Sequence, residues 1–176
     1  MSALYGLMAE FDNPEDLVRA ARRAYQQGYR KMDAYSPYPV EGLADAIGFR
    51  HTRISLLVLM GGIIGGLSGF CLQYWISVID YPLNVGGRPY NSWPSFIPVT
   101  FELTVLFGAL AAVLGMLGLN RLPMPYHPVF NAPRFALATR DRFFLAIEAG
   151  DPQFDREQTR RFLESLMPQG VSEVEP

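Results

Sequence analysis

Two long apolar segments, residues 54–79 and 95–119, constrain this chain more than any other feature of its sequence. They contain 26 and 25 residues, and Glu102 is the only side chain in either that is charged at neutral pH. A helix needs about 20 residues to cross the hydrocarbon core of a bilayer, whereas a helix of a globular protein averages about 11 to 12. These lengths favour two transmembrane helices, at 54–79 and 96–119, over two buried helices of a soluble domain.

Arginines flank the two segments unevenly, and this predicts their orientation. Arg50 and Arg53 precede the first segment, Arg121 follows the second, and Arg88 is the one cation in the loop 80–95. Positive charge in short flanks marks the cytoplasmic side of a membrane. We therefore expect a multi-pass protein of the cytoplasmic (inner) membrane, with both termini cytoplasmic and the loop external. The net charge of −2 gives no indication of a nucleic-acid partner.

The polar sequence before the first segment is predicted to form a strand, a helix and a second strand. Residues 3–9 are apolar, Asn13 and Pro14 are typical of a helix start, and Gly28 is typical of a helix end. Residues 30–35 form the second predicted strand. A short helix at 41–47 then leads to the membrane.

The sequence after the second segment is predicted to form two strands, a helix and a last strand, at 135–139, 143–148, 155–167 and 171–174. The combined order, β-α-β followed by β-β-α-β, is close to the split β-α-β pattern of ferredoxin-like folds. Residues 3–9 and 143–148 are the most apolar strands and are expected at the centre of the sheet.

The predicted fold class is therefore an α+β membrane protein, in which a transmembrane hairpin is inserted into a ferredoxin-like cytoplasmic domain. The predicted boundaries are 1–49 for the N-terminal half of that domain, 50–121 for the hairpin and 122–176 for the C-terminal half. Neither half is large enough to bury a sizeable core by itself.

Small residues recur at helical spacing in both apolar segments: Gly61, Gly65 and Gly69 in the first, and Gly108, Ala112 and Gly115 in the second. This spacing lets helix backbones approach closely in lipid. Gly62 and Gly66 form a second row beside the first one, more than a single partner helix can cover. We therefore expect one row to pack within the hairpin and the other to contact another subunit.

The sequence predicts no catalytic, cofactor-binding or metal-binding residue. A single cysteine, Cys71, excludes an internal disulfide and a cysteine-rich Fe–S or zinc site. His51 and His127 are a conceivable pair of haem ligands, but they lie outside the apolar segments, and interfacial or solvated histidines are favoured. Glu102 is the candidate intramembrane acid, with three readings open: a hydrogen bond to a partner helix, a proton path, or snorkelling to the interface.

Several long motifs carry a resemblance to a known family: YGLMAEF at 5–11, DAYSPYPVEG at 33–42, SWPSFIPVTFE at 92–102, NRLP at 120–123, PYHP at 125–128, FALAT at 135–139 and FFL at 143–145. With these motifs, spread over nearly the whole chain, the sequence resembles the D subunit of bacterial alternative complex III. The resemblance implies membership of a complex that oxidises menaquinol or another quinol and reduces a periplasmic cytochrome c, another high-potential carrier or an oxidase.

The resemblance further implies partners that hold the redox chemistry: polytopic quinol-site subunits, an Fe–S subunit and multihaem cytochrome c subunits, with lipids around them. It implies no cofactor in this subunit, since haem c and Fe–S clusters belong to the partners. The function expected is therefore that of a non-catalytic membrane subunit in respiratory or photosynthetic electron transfer. Two alternatives stay open, a proton pathway through Glu102 and a free-standing membrane sensor whose ferredoxin-like domain binds a ligand.

Overall fold

The computed structural model describes residues 4–49 and 52–176. The chain divides into two compact units, Met1–His51 with Pro125–Pro176, and Thr52–Met124. We refer to them as the α/β unit and the helix unit. Arg50 and His51, on which part of the orientation and haem-ligand reasoning depends, lie outside the described residues.

The α/β unit contains a four-stranded antiparallel sheet. Its strands are β1 (Gly6–Phe11), β2 (Met32–Tyr35), β3 (Phe143–Glu148) and β4 (Gly170–Val174). Their spatial order is β2-β3-β1-β4, with every neighbouring pair antiparallel. The two central positions therefore belong to β1 and β3, the most apolar strands, and every residue of β1 is buried. Residues from both ends of the chain thus complete one sheet.

One face of the sheet is covered by helices. They are α1 (Pro14–Gln27), the short α2 (Leu43–Ala46) and α5 (Arg156–Ser165). Leu17 of α1 and Leu163 of α5 are fully buried in one core with Leu7 of β1. The residues at the two ends of α1 explain where the helix begins and ends. Proline occupies the first turn, and Gly28 ends the helix at φ +105°, a conformation that glycine adopts without strain.

The opposite face corrects the sequence-based prediction. Residues 135–139, predicted as a strand, form the 3-10 helix Phe135–Thr139. Phe135 and Ala138 are buried against Met8 and Phe144 of the two central strands. Buried positions three residues apart fit a helical turn rather than the two-residue repeat of a strand, and so short an apolar run cannot be assigned by periodicity alone. The unit is therefore β-α-β followed by β-α-β, with one strand fewer than expected.

The helix unit consists of two long apolar helices. The first is α3 (Ile54–Tyr74) and runs on into a π-helical turn at Trp75–Asp80, while a 3-10 turn at Trp93–Phe96 leads into the second, α4 (Ile97–Leu119). Each continuous stretch has 27 residues and is long and apolar enough to cross a membrane. Most of their large apolar side chains are exposed, unlike those of a core helix in a soluble protein. This exposure fits a membrane location.

Candidate functional site

The row Gly61, Gly65 and Gly69 lies against α4 and forms the seam of the helix pair. A Cβ atom added to Gly65 would lie 2.2 Å from the backbone oxygen of Leu103, and one added to Gly61 would lie 2.8 Å from that of Phe107. No side chain can move aside to relieve a clash with backbone. These glycines therefore set how closely the two backbones approach. Because Gly61 faces a later residue of α4 than Gly65 does, the helices run in opposite directions.

A polar clamp closes one end of the seam. The Gln73 side-chain amide donates to the backbone oxygens of Phe96 at 3.0 Å and Gly69 at 3.1 Å, and also lies 3.4 Å from the hydroxyl of Thr100. This contact was not predicted from the sequence. A signal was present, because Gln73 is the only side-chain amide in the first apolar segment.

The second glycine row of α3 faces the side chain of Thr104, whose hydroxyl an added Cβ atom at Gly66 would meet at 2.8 Å. Gly62 and Gly66 line an apolar groove of about 800 Å³ that also includes Thr104, Gly108 and Ala112 of α4. A Cβ atom added to Gly62 would meet its nearest atom, in the Thr104 side chain, at 3.7 Å, an ordinary contact. Five of the six candidate packing residues thus divide between two places. Gly61, Gly65 and Gly69 lie in the seam, and Gly108 and Ala112 line the groove.

Gly115, the last candidate packing residue, lies near the cytoplasmic end predicted for the pair. A Cβ atom added there would lie 3.0 Å from Cδ1 of Leu57, a flexible side-chain end. It therefore faces α3 through a side chain, and its fit is looser than that of Gly65.

Glu102 is exposed on α4, on the side turned away from α3. Ala111, whose side chain touches the Gly61 position in the seam, follows nine residues later, which is two and a half helical turns. In residues 52–176 no hydrogen bond or ion pair to the Glu102 carboxylate is formed. A carboxylate at the centre of a bilayer costs about 2.5–3.5 kcal/mol on insertion scales, and less near the interface. Such groups in membrane proteins face protein or water.

His127 is held by polar contacts of the α/β unit. Its Nδ1 accepts from the backbone N–H of Val129 at 3.3 Å, and its Nε2 lies 3.4 Å from the hydroxyl of Tyr5. Tyr5 in turn donates to Glu148 at 3.4 Å. Burial, followed by the negative charges of Glu148 and Asp33, raises the pKa of Tyr5 to about 12. These contacts tie the segment around His127 to the sheet of the same unit.

Glu10 of β1 is a buried acid and lies beneath two arginines. Its carboxylate is 3.1 Å from the guanidinium of Arg134 and 3.7 Å from that of Arg142, and Arg142 also pairs with Asp12. This network was not predicted from the sequence, because an acid inside an apolar strand does not indicate its partners. It fixes the 3-10 segment over the sheet, since Arg134 directly precedes that segment.

No group of three or more histidine, cysteine or acidic side chains is placed to hold a metal ion within 4–49 and 52–176.

The fold and these surfaces define a mixed helix-and-sheet protein with two apolar helices that fit a membrane location. The family model described as Alternative complex III, ActD subunit, matches residues 5–173, nearly the whole chain. The chain therefore belongs to this family and is a subunit of alternative complex III. No curated protein matches it.

Proposed function

We propose that this chain is a non-catalytic subunit that assembles and stabilises a quinol-oxidising alternative complex III in the bacterial cytoplasmic membrane. The observation that carries the proposal is the helix pair, whose seam is closed internally while an apolar groove beside it stays open. An open groove between small residues is a surface on which another helix can pack. Membership of the complex supplies the partners.

The α/β unit is proposed to be a ferredoxin-like domain interrupted by a transmembrane hairpin, with boundaries near 1–49, 50–121 and 122–176. The strand order β2-β3-β1-β4 supports this, because two split β-α-β units interleave in that way. Both termini are proposed to be cytoplasmic.

The orientation can be tested by cysteine labelling in a Cys71→Ser background. We expect a cysteine at Asn84, in the external loop, to react with an impermeant thiol reagent in cells whose outer membrane, if present, is permeabilised. A cysteine at Glu175 should react only after the inner membrane is broken. The reverse pattern would contradict the orientation.

The partners proposed are polytopic quinol-site subunits, an Fe–S subunit and multihaem cytochrome c subunits. Haem c and Fe–S clusters are assigned to those partners, and no cofactor is assigned to this chain. The alternative of a free-standing membrane sensor is disfavoured, because such a sensor is not expected in a family of complex subunits.

A second candidate function, a proton pathway, rests on the exposed Glu102 carboxylate. Replacement with glutamine keeps the shape and removes titration. The pathway predicts an assembled complex with altered quinol turnover or proton coupling in Glu102→Gln. Unchanged turnover and coupling in a fully assembled variant would exclude it.

Deletion of the chain tests the assembly role. Membranes from cells with and without the gene are extracted in mild detergent, and native mass and quinol oxidation are measured. We expect the deletion to lose the intact complex, and re-expression of the chain to restore it. An intact, fully active complex without the chain would refute the proposal.

A further inference from the structure

The α4 wall of the apolar groove and Glu102 form one continuous stripe of α4. Val105 and Ala109, which line the groove, follow Glu102 by three and seven residues. Positions at these spacings are neighbours on a helix surface. The only side chain in the two apolar segments that is charged at neutral pH therefore adjoins the α4 wall of this groove, next to Val105 and Ala109.

The two features make different demands on whatever covers them. The groove, with Gly62 and Gly66 on one wall and Gly108 and Ala112 on the other, offers close approach to bulky apolar side chains. The Glu102 carboxylate needs a hydrogen-bond donor or a cation, and residues 52–176 provide none. A lipid acyl chain can fill the apolar groove but provides no donor or cation for the Glu102 carboxylate. A helix that carries one basic side chain satisfies both.

We infer that this stripe seats one transmembrane helix of another subunit of the complex, with large apolar side chains in the groove and an arginine or lysine beside Glu102. The inference rests on the proposed assembly function and names the surface and the partner chemistry for it. Charge complementarity fixes the register of the two helices, because a single ion pair in an apolar surface has only one matching position.

Filling the groove is the first test, since two of its glycines can carry a side chain without disturbing the seam. Added Cβ atoms at Gly62 and Gly108 would have nearest neighbours at 3.7 and 3.9 Å. We expect Gly62→Leu and Gly108→Leu to insert normally but to lose at least tenfold of the co-purified complex. Gly118→Leu, where an added Cβ meets nothing within 4 Å, is the matched control and should keep the complex. Full recovery with both groove variants would overturn the inference.

Photo-crosslinking identifies the occupant directly. Val105 and Leu114 are both exposed, by 52% and 65%, and lie nine residues apart, on opposite faces of α4. Benzoylphenylalanine at Val105 should crosslink to a transmembrane peptide of another subunit, at a yield several times that from Leu114. Lipid adducts alone at Val105 would overturn the inference.

Charge variants test the pairing at Glu102. We expect the recovered complex to fall progressively in Glu102→Gln, Glu102→Leu and Glu102→Lys. Exchanging the basic residue of the crosslinked peptide for glutamate should restore assembly with Glu102→Lys. An intact complex with Glu102→Lys alone would refute a basic partner.

These outcomes separate the inference from the proposed function. Deletion of the chain could dismantle the complex while both groove variants keep it and Val105 gives lipid adducts alone. In that case only the inferred surface is wrong. If deletion leaves the complex intact, the proposed function itself fails.

Discussion

The helix unit and the α/β unit hold their parts together by different means. In the helix unit, glycines bring two backbones into contact, and one amide, that of Gln73, provides the polar link. In the α/β unit, apolar side chains fill both faces of a sheet, and buried carboxylates such as Glu10 and Asp151 bind the surrounding segments. The hydrophobic effect drives the packing of the α/β unit, but it does not drive the association of helices in lipid. The helix pair should therefore be sensitive to shape, and the α/β unit to charge.

The largest effect is expected for Gly65→Leu, which breaks the seam of the helix pair. An added Cβ would lie 2.2 Å from the Leu103 backbone oxygen, so the helices must separate. We expect normal membrane insertion, loss of co-purifying subunits and a destabilisation above the roughly 1–3 kcal/mol typical of overpacking. Thermal unfolding of the purified protein in detergent measures it.

The matched comparison for this variant is the adjacent glycine row. Gly62→Ala adds a Cβ with no contact closer than 3.7 Å, and it should change the unfolding temperature little. Equal destabilisation by Gly65→Ala and Gly62→Ala would contradict the division into seam and groove.

Charge sensitivity of the α/β unit is tested at Asp151, which is 5% exposed. Burial acts to raise the pKa of this carboxyl, but the backbone N–H groups of Lys31, Arg30 and Gln153 outweigh burial and lower it below its usual 3.8. Its stabilisation is therefore present above about pH 3.8 and is lost as the pH falls through the lower pKa of the folded state.

We expect Asp151→Asn to destabilise the α/β unit by about 1–3 kcal/mol at pH 7, because the amide accepts these hydrogen bonds less strongly. Hydrogen exchange of the full-length protein should localise the loss to residues 28–31 and 148–153. The difference from wild type should shrink towards pH 3. A pH-independent difference would indicate a purely steric effect.

A smaller effect is expected for the polar clamp of the helix pair. Gln73→Met keeps the length of the side chain and removes the donor to Phe96 and Gly69. Interhelical hydrogen bonds in membrane proteins average about 0.6 kcal/mol and reach about 1.7. We expect a loss in that range, independent of pH between 5 and 9. A marked pH dependence would show that the helix pair does not depend on shape and neutral contacts alone.

The parts of this fold that depend on composition and local chemistry could be predicted from the sequence. Long segments with a single charged side chain between them predict long apolar helices, and Pro14 with Gly28 predicts the ends of α1. The prediction failed at 135–139, where burial against the sheet, set by residues from β1 and β3, decides the conformation.

The site residues show the same limit. Glycine spacing indicates close packing, but the rotation of α3 about its axis decides which row faces α4. The row that faces Leu103 and Phe107 cannot be chosen from the spacing alone. The partners of Glu10 and Gln73 are distant in sequence, at Arg134 and Phe96, and no local pattern predicts them.

The smallest effect is expected for Tyr5→Phe, which tests the charge sensitivity of the α/β unit at alkaline pH. The hydrogen bonds of Tyr5 to Glu148 and His127 are long, at 3.4 Å, so at pH 7 we expect a loss of only about 0.5 kcal/mol in the free energy of unfolding.

Burial first, then nearby negative charges, raises the pKa of Tyr5 to about 12 in the folded protein. The folded state thus favours the neutral phenol, and the stability linked to it is present below pH 10 and lost between pH 10 and 12. Burial also raises the pKa of Tyr35, so both proteins should lose stability there, wild type more steeply than Tyr5→Phe. Thermal unfolding of full-length wild type and variant in detergent at pH 8, 10 and 11 measures the two slopes, and parallel slopes would show that Tyr5 titrates normally.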